Sequence, residues 1–191
     1  MRPRVVLFTR YPTPGEAKTR LVPALGPEGA AALHRRLTER TLDAMRRAGL
    51  PIEVRATGAD PARFAAWLGA DLAIVDQGAG DLGARLARAA EPPPVILLGA
   101  DAPDLRPEHL SQAADALARA PVVIGPAEDG GYWLLGLARP LPALFVDMPW
   151  GTSGVYAETV ARLDALGLEA VRLEMLADLD RPEDLARWPG L

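Results

Sequence analysis

Short apolar runs alternate along this chain with longer stretches in which apolar residues return every three or four positions. Residues 4–9, with Val5, Val6, Leu7 and Phe8 in succession, have the pattern of a strand buried on both faces. Residues 28–48 are helical by spacing. Leu33, Leu37, Thr41 or Leu42, and Met45 fall on one face, and Gly49 sits where a C-terminal stop belongs. Strands are predicted over 52–56 and 72–75, with a short amphipathic piece around 61–68 between them. Residues 81–90 read as a helix that the Pro92-Pro93-Pro94 run terminates. Residues 95–99 form a second run buried on both faces. Proline opens a helix over 107–120. Strands follow over 122–125 and, after the Gly130-Gly131 turn, over 132–137. A helix over 152–166 has Thr152 or Ser153 as its natural N-cap, and a strand over 168–173 and a short helix over 183–188 close the chain.

This alternation predicts an α/β fold: a single domain over 1–191, built as a three-layer α/β/α sandwich around a mainly parallel, Rossmann-like sheet. No internal repeat or linker interrupts it. With 49% hydrophobic and 24% charged residues the composition is that of a globular protein. No stretch approaches the roughly 20 apolar residues of a membrane span. The N-terminus lacks the apolar region of a signal peptide, so a cytoplasmic location is expected. The absence of cysteine excludes disulfides, thiolate zinc sites and thiol nucleophiles. A formal charge of −4 argues against nonspecific nucleic-acid binding. Lys18 is the only lysine among many arginines.

The chemistry-bearing residues cluster where the predicted strands end, the edge at which open α/β sheets bind ligands. Asp101 and Asp104 follow the 95–99 run, on either side of Pro103; carboxylates there suit a divalent cation held against phosphate oxygens. Capping of the next helix is the competing role, and Asp104 fits it better than Asp101. After the first strand, Arg10, Lys18 and Arg20 flank turns at Pro12, Pro14 and Gly15, a loop able to wrap a di- or triphosphate. Its spacing is not that of a Walker A loop or a GxGxxG fingerprint. Gln77, Gly80 and Arg85 bring a base-reading amide, a close-approach turn and a cation after the third strand, although a plain turn into a helix has the same residues. Next comes Glu128-Asp129-Gly130-Gly131-Tyr132-Trp133. Here Asp129 can orient an acceptor hydroxyl or act as its base, and either aromatic can stack on a ring. Asp178 and Asp180 supply acids after the last strand, for a metal shell or for capping before Pro182. His34 and His109 lie within helical patterns and read as packing or surface residues, and no Ser/His/Asp nucleophile set is present.

Together, residues 8–21, 99–105, 125–137, 149–156 and 177–185 resemble the glycosyltransferase A-like family of the rSAM/selenodomain-associated transferase 1 type, within the nucleotide-diphospho-sugar transferase superfamily. Glu128-Asp129-Gly130-Gly131-Tyr132 and Pro149-Trp150-Gly151-Thr152-Ser153 are its specific strings. The resemblance implies a glycosyltransferase A-type fold and a transferase using a nucleotide-activated donor, with Mg²⁺ or Mn²⁺ bridging the donor phosphates. On this chain it implies that Arg10, Gly15, Lys18 and Arg20 hold phosphates, with Lys18 also serving catalysis. Asp101 with Asp178 or Asp180 binds metal, and Asp129 is the acceptor base. Gly130, Gly131, Tyr132, Trp150 and Ser153 meet a small-molecule acceptor. The Asp101 motif departs from the usual DxD, since its second acid comes three residues later. The Lys18-Thr19-Arg20-Leu21 string also resembles nucleotidyltransferases that pass NMP from an NTP to a small phosphorylated acceptor and release pyrophosphate. Glycosyl transfer from a nucleoside diphosphate sugar is the preferred expectation, nucleotidyl transfer the second, and an idle nucleotide-binding protein the third.

Overall fold

Val5, Val6 and Leu7 in the first strand are fully buried, and their alternation sorts them between two cores. Val5 and Leu7 join Ile96, Leu98, Met45 and Leu110 on one face of the sheet. Val6 joins Val95, Leu97, Ile124, Leu135 and Leu163 on the other. A strand covered on both faces needs apolar residues at every position, which is why these runs do not alternate with polar ones.

The computed structural model describes residues 2–191. Its strands are β1 (Arg4–Arg10), β2 (Ile52–Thr57), β3 (Ala73–Asp76), β4 (Val95–Leu98), β5 (Val122–Pro126), β6 (Tyr132–Leu137) and β7 (Ala170–Arg172). They form one seven-stranded sheet in the order β3-β2-β1-β4-β6-β5-β7. Every pairing is parallel except those of β6, which runs antiparallel to β4 and β5. The helices are α1 (Val22–Ala48), α2 (Pro61–Leu68), α3 (Leu82–Ala89), α4 (Pro107–Leu117) and α5 (Val155–Ala165). The α/β/α sandwich expected from the sequence is the observed architecture.

Four local expectations change. The first concerns α1, which begins six residues earlier than its apolar spacing indicates but is broken at Gly26 (φ 71°), so the regular helix restarts at Pro27. The second is the start of α5. Gly154, not Thr152 or Ser153, is its N-cap, because the Thr152 hydroxyl is already engaged: it donates to the Pro149 carbonyl (2.8 Å) and accepts from Gly154 N (3.3 Å). The third is Asp104, which does not cap α4. Arg106 occupies that position, its backbone N–H donating to His109 Nδ1 (3.2 Å), while both Asp104 oxygens accept from Trp188 Nε1 at 3.2 Å. Nor do Asp178 and Asp180 cap the last turn. Pro182–Arg187 is a 3-10 helix whose entry is bonded by Asp184 Oδ2, which accepts from Asp180 N (3.0 Å) and Arg181 N (2.8 Å).

Candidate functional site

The segments that follow β1, β4, β5 and β7 meet at one edge of the sheet, with Lys18 at their junction. Lys18 takes a left-handed backbone conformation (φ 49°), which costs a non-glycine residue of the order of 1 kcal/mol. That turn sends its side chain inward until only 4% of it is exposed. The ammonium lies 2.7 Å from Asp101 Oδ1 and 3.5 Å from Asp180 Oδ1, and donates to the Leu179 carbonyl. Leu179 N in turn donates to the Asp101 carbonyl at 2.8 Å, so the late segment is bonded directly to the loop after β4. Arg20 pairs with Asp180 from outside.

The three expected metal acids therefore have different environments. Burial alone would raise Asp180, but Lys18 and Arg20 outweigh it and hold its carboxyl below the ordinary range. Asp178 has no such partner. Burial, reinforced by Asp129, Asp101 and Asp180 and only partly opposed by Lys18, pushes its carboxyl up to about 8. Asp101 is half-exposed and touches Lys18. Asp101 and Asp178 face the same cavity, whereas Asp180 faces the cations.

Asp101 stands on the wall between two cavities. The smaller, of about 320 Å³, is lined by Arg10, Glu16, Lys18, Arg20, His34, Asp101 and Asp180 among others. Arg10 donates to the Glu16 carbonyl at 3.0 Å, which folds the loop over this cavity, and Gly15 makes the turn at φ 79°. The larger, of about 410 Å³, lies between α3, the carboxyl end of β4 and the start of α5. Phe8, Leu82, Leu86, Leu97 and Leu135 supply apolar wall, and Asp101, Asp129, Gly131, Tyr132, Trp150 and Asp178 supply the polar and aromatic remainder. Asp129 Oδ1 accepts from Gly131 N at 2.8 Å within the β5–β6 hairpin. Gly130 and Ser153 are not on this wall but dock on one another. A Cβ at Gly130 (φ 89°) would stand 2.2 Å from the Ser153 carbonyl oxygen, and Tyr156 N donates to the Gly130 carbonyl at 2.9 Å. The Tyr132 hydroxyl and Trp150 Nε1 are buried without a hydrogen-bond partner, and their rings meet edge to face at 6.4 Å.

Gln77, Gly80 and Arg85 form a brace outside both cavities. Gln77 Nε2 donates to the carbonyls of Thr9 (3.2 Å) and Arg55 (3.0 Å), which ties the ends of β1 and β2 together. Its Oε1 accepts from Arg85, whose Nε donates to the Gly80 carbonyl. An amide spent on two main-chain carbonyls has no donor left to read a base. His34, expected to be a packing or surface residue, is buried under the phosphate-loop candidate. Its Nε2 is 2.9 Å from the Arg10 carbonyl and 3.3 Å from Thr9 Oγ1, and burial lowers its pKa against the pull of that carbonyl. The signal was present in the helical register, which places buried Thr38 one turn on, 3.1 Å from the same Thr9 hydroxyl. Phe8, Leu82 and Leu86 carry no chemical signature that would have marked them as cavity wall.

Among the described residues no three or more His, Cys, Asp or Glu side chains form a ready-made metal cage. A magnesium-like ion does not need one, since it binds through one or two carboxylates, waters and substrate phosphates. Asp101 and Asp178 fit that requirement, because an Asp178 forced upward by burial and then by neighbouring carboxylates lacks enough positive charge beside it to ionise.

The fold is shared with solved structures of several proteins. A Desulfovibrio desulfuricans G20 protein that carries the provisional name nucleotide-diphospho-sugar transferase is 32% identical, with a TM-score of 0.88 over 94% of this chain and 82% of that one. A nucleotidyl transferase from Methanothermobacter is 21% identical (TM-score 0.60, 97% of this chain and 95% of that one). Rv0371c from Mycobacterium tuberculosis H37Rv, solved with manganese, is 19% identical (TM-score 0.59, 98% and 97%). The fold is that of nucleotide-diphospho-sugar transferases and nucleotidyltransferases. Residues 41–152 match the DUF2064 family, described as an uncharacterized protein conserved in bacteria, and the chain belongs to that family. No curated protein matches it. No helix of the described residues is long and apolar enough to cross a membrane.

Proposed function

We propose that this protein is a glycosyltransferase that uses a nucleoside diphosphate sugar with Mg²⁺ or Mn²⁺. The observation that carries the reading is Asp101, one carboxylate common to a cation-lined cavity and an apolar, acid-bearing one. Glycosyl transfer needs that juxtaposition: a diphosphate on one side, an acceptor on the other, and the sugar–phosphate bond between them. Arg10, Lys18 and Arg20 neutralise the diphosphate, and Lys18, fixed by its neighbours, opposes the charge that grows on it as it leaves. Asp101 and Asp178 would hold the divalent ion, which supplies further stabilisation of the leaving diphosphate when bound. Asp129, on the acceptor side, takes the proton of the attacking hydroxyl as the bond from acceptor oxygen to sugar carbon forms and the carbon–oxygen bond to the diphosphate breaks.

The test follows donor turnover. Purified protein is incubated with UDP, GDP, CDP and ADP sugars, a mixed acceptor pool and Mn²⁺, and the released nucleoside diphosphate is measured. Parallel reactions with nucleoside triphosphates are assayed for pyrophosphate. Diphosphate release that falls by about a hundredfold or more in Asp101→Ala is expected. Pyrophosphate release without diphosphate release replaces the reading with nucleotidyl transfer, and binding without either product makes the protein an idle nucleotide binder.

A further inference from the structure

The two cavities that share Asp101 differ in the charge of their walls. Arg10, Lys18, Arg20 and His34 line the smaller one. Among the described residues the wall of the larger one contains no lysine, arginine or histidine, but it carries Asp101, Asp129 and Asp178. An ion held by Asp101 and Asp178 would leave Asp129 uncompensated, exposed at the tip of the β5–β6 hairpin. A second phosphate brought into this space would meet the Asp129 carboxylate and no cationic side chain, an arrangement that selects against anions away from the metal.

The rest of the wall is also selective. Phe8, Leu86, Leu97 and Leu135 line one side, and the edge-to-face pair of Tyr132 and Trp150 lies close by. Aromatic and aliphatic walls of this kind accept the C–H face of a ring. The Tyr132 hydroxyl and Trp150 Nε1, both buried, are unbonded within the protein. Burial holds that hydroxyl in its protonated form, so the two rings meet the cavity as aromatic surface.

We propose that the larger cavity binds an acceptor without phosphate or any other anionic group: a neutral or amine-bearing polyol that presents one apolar face to Tyr132 and Trp150 and its hydroxyls to Asp129. This rests on the glycosyl-transfer reading for the word acceptor, and on the cavity wall alone for the charge selection.

Matched pairs test it: glucose and glucose 6-phosphate, glucosamine and glucosamine 6-phosphate, glycerol and glycerol 3-phosphate. Each is titrated by saturation-transfer NMR against the full-length protein, with and without Mg²⁺ and whichever nucleoside diphosphate stabilises the protein most in a thermal shift. The unphosphorylated member of at least one pair is expected to bind about tenfold more tightly than its ester, the scale of one carboxylate–phosphate repulsion near a protein surface. Asp129→Lys should bring that ratio to one or invert it, while Asp129→Asn, which keeps the hairpin bond, should only narrow it. Esters that bind as well as or better than their parents, or binding of neither member, overturns the proposal. Failure of every nucleoside diphosphate to shift the melting temperature instead overturns the donor reading, and leaves the nucleotide-free pairs to decide the charge selection.

Discussion

Replacing Asp178 by asparagine should make the protein more stable in mild alkali, by an amount the structure allows to be worked out. Asp178 titrates at about 8 in the fold against an ordinary value of 3.8. Between those limits the native state carries a proton that the unfolded chain has already lost. More protons on the native side means that stability falls as pH rises through that window, with a slope of up to about 1.4 kcal/mol per pH unit. Partial access of water to the side chain reduces the integral, and a loss of about 2–3 kcal/mol between pH 5 and pH 8 is expected. Asparagine keeps the shape and cannot ionise. Urea melts of the two proteins should therefore agree at pH 5 and separate at pH 8, the variant being higher by about 2–3 kcal/mol at unchanged m, or about 4–12 °C in melting temperature. The acid-side effect of His34 is common to both proteins and cancels in the difference. At pH 8, Mg²⁺ or Mn²⁺ at a hundred times its dissociation constant should return about 2.7 kcal/mol to the native protein and much less to the variant. Stability curves that run parallel from pH 5 to 8 would refute the placement of Asp178 among uncompensated carboxylates.

Other outcomes follow from single contacts. Lys18→Met keeps the left-handed backbone cost and the apolar stem but strands Asp101 and leaves Asp180 only Arg20; with both carboxylates part-exposed, a loss of about 1–2 kcal/mol is expected by urea denaturation at pH 7, shrinking as acid protonates them. Gln77→Leu leaves the Thr9 and Arg55 carbonyls without their buried donor and should cost about 2–4 kcal/mol, measured as a shift in urea midpoint at constant m. Gly125→Ala would put a methyl 2.3 Å from Trp133 Cε2, so a loss of about 1–3 kcal/mol with altered tryptophan fluorescence is expected; an unchanged spectrum would mean that the indole does not lie over this glycine.

Much of the fold is legible in the sequence because parallel strands buried on both faces leave continuous apolar runs, as at Val5–Leu7 and Val95–Leu98. Alternation even assigns neighbours to opposite faces. Trp133 goes to one core, its Nε1 bonded to the Glu174 carbonyl at 3.1 Å, while Tyr132 goes to the other face and the cavity. The reversed direction of β6 is also local in origin, since a short Gly-Gly turn can only return a strand beside its predecessor. What sequence does not show is which partner a polar side chain finds at long range. Asp104 looks like a cap because Pro107 follows closely, yet its hydrogen-bond partner, Trp188, lies 84 residues away. Gln77 looks like a base reader, but the carbonyls it satisfies belong to two other strands. Asp178 and Asp180 are indistinguishable in composition, and only the position of Lys18 and Arg20 separates a paired acid from an unpaired one.

The reversal of β6 has a practical consequence for engineering. In an all-parallel sheet only strand ends reach the ligand edge, and each loop there must hand the chain on to a crossover helix. Here the loop from Ala127 to Gly131 closes on itself, with Ala127 N donating to the Gly131 carbonyl at 3.0 Å, and both strands it joins sit beside each other. Exchange of its five residues must keep a glycine where Ser153 docks and respect three outside ties: Glu128 N donates to the Leu176 carbonyl (3.0 Å), the Glu128 carboxylate pairs with Arg187 (2.6 Å), and the Gly130 carbonyl accepts from Tyr156 N (2.9 Å). On the glycosyl-transfer reading proposed above, such an exchange addresses the acceptor side and leaves the Arg10–Arg20 loop untouched.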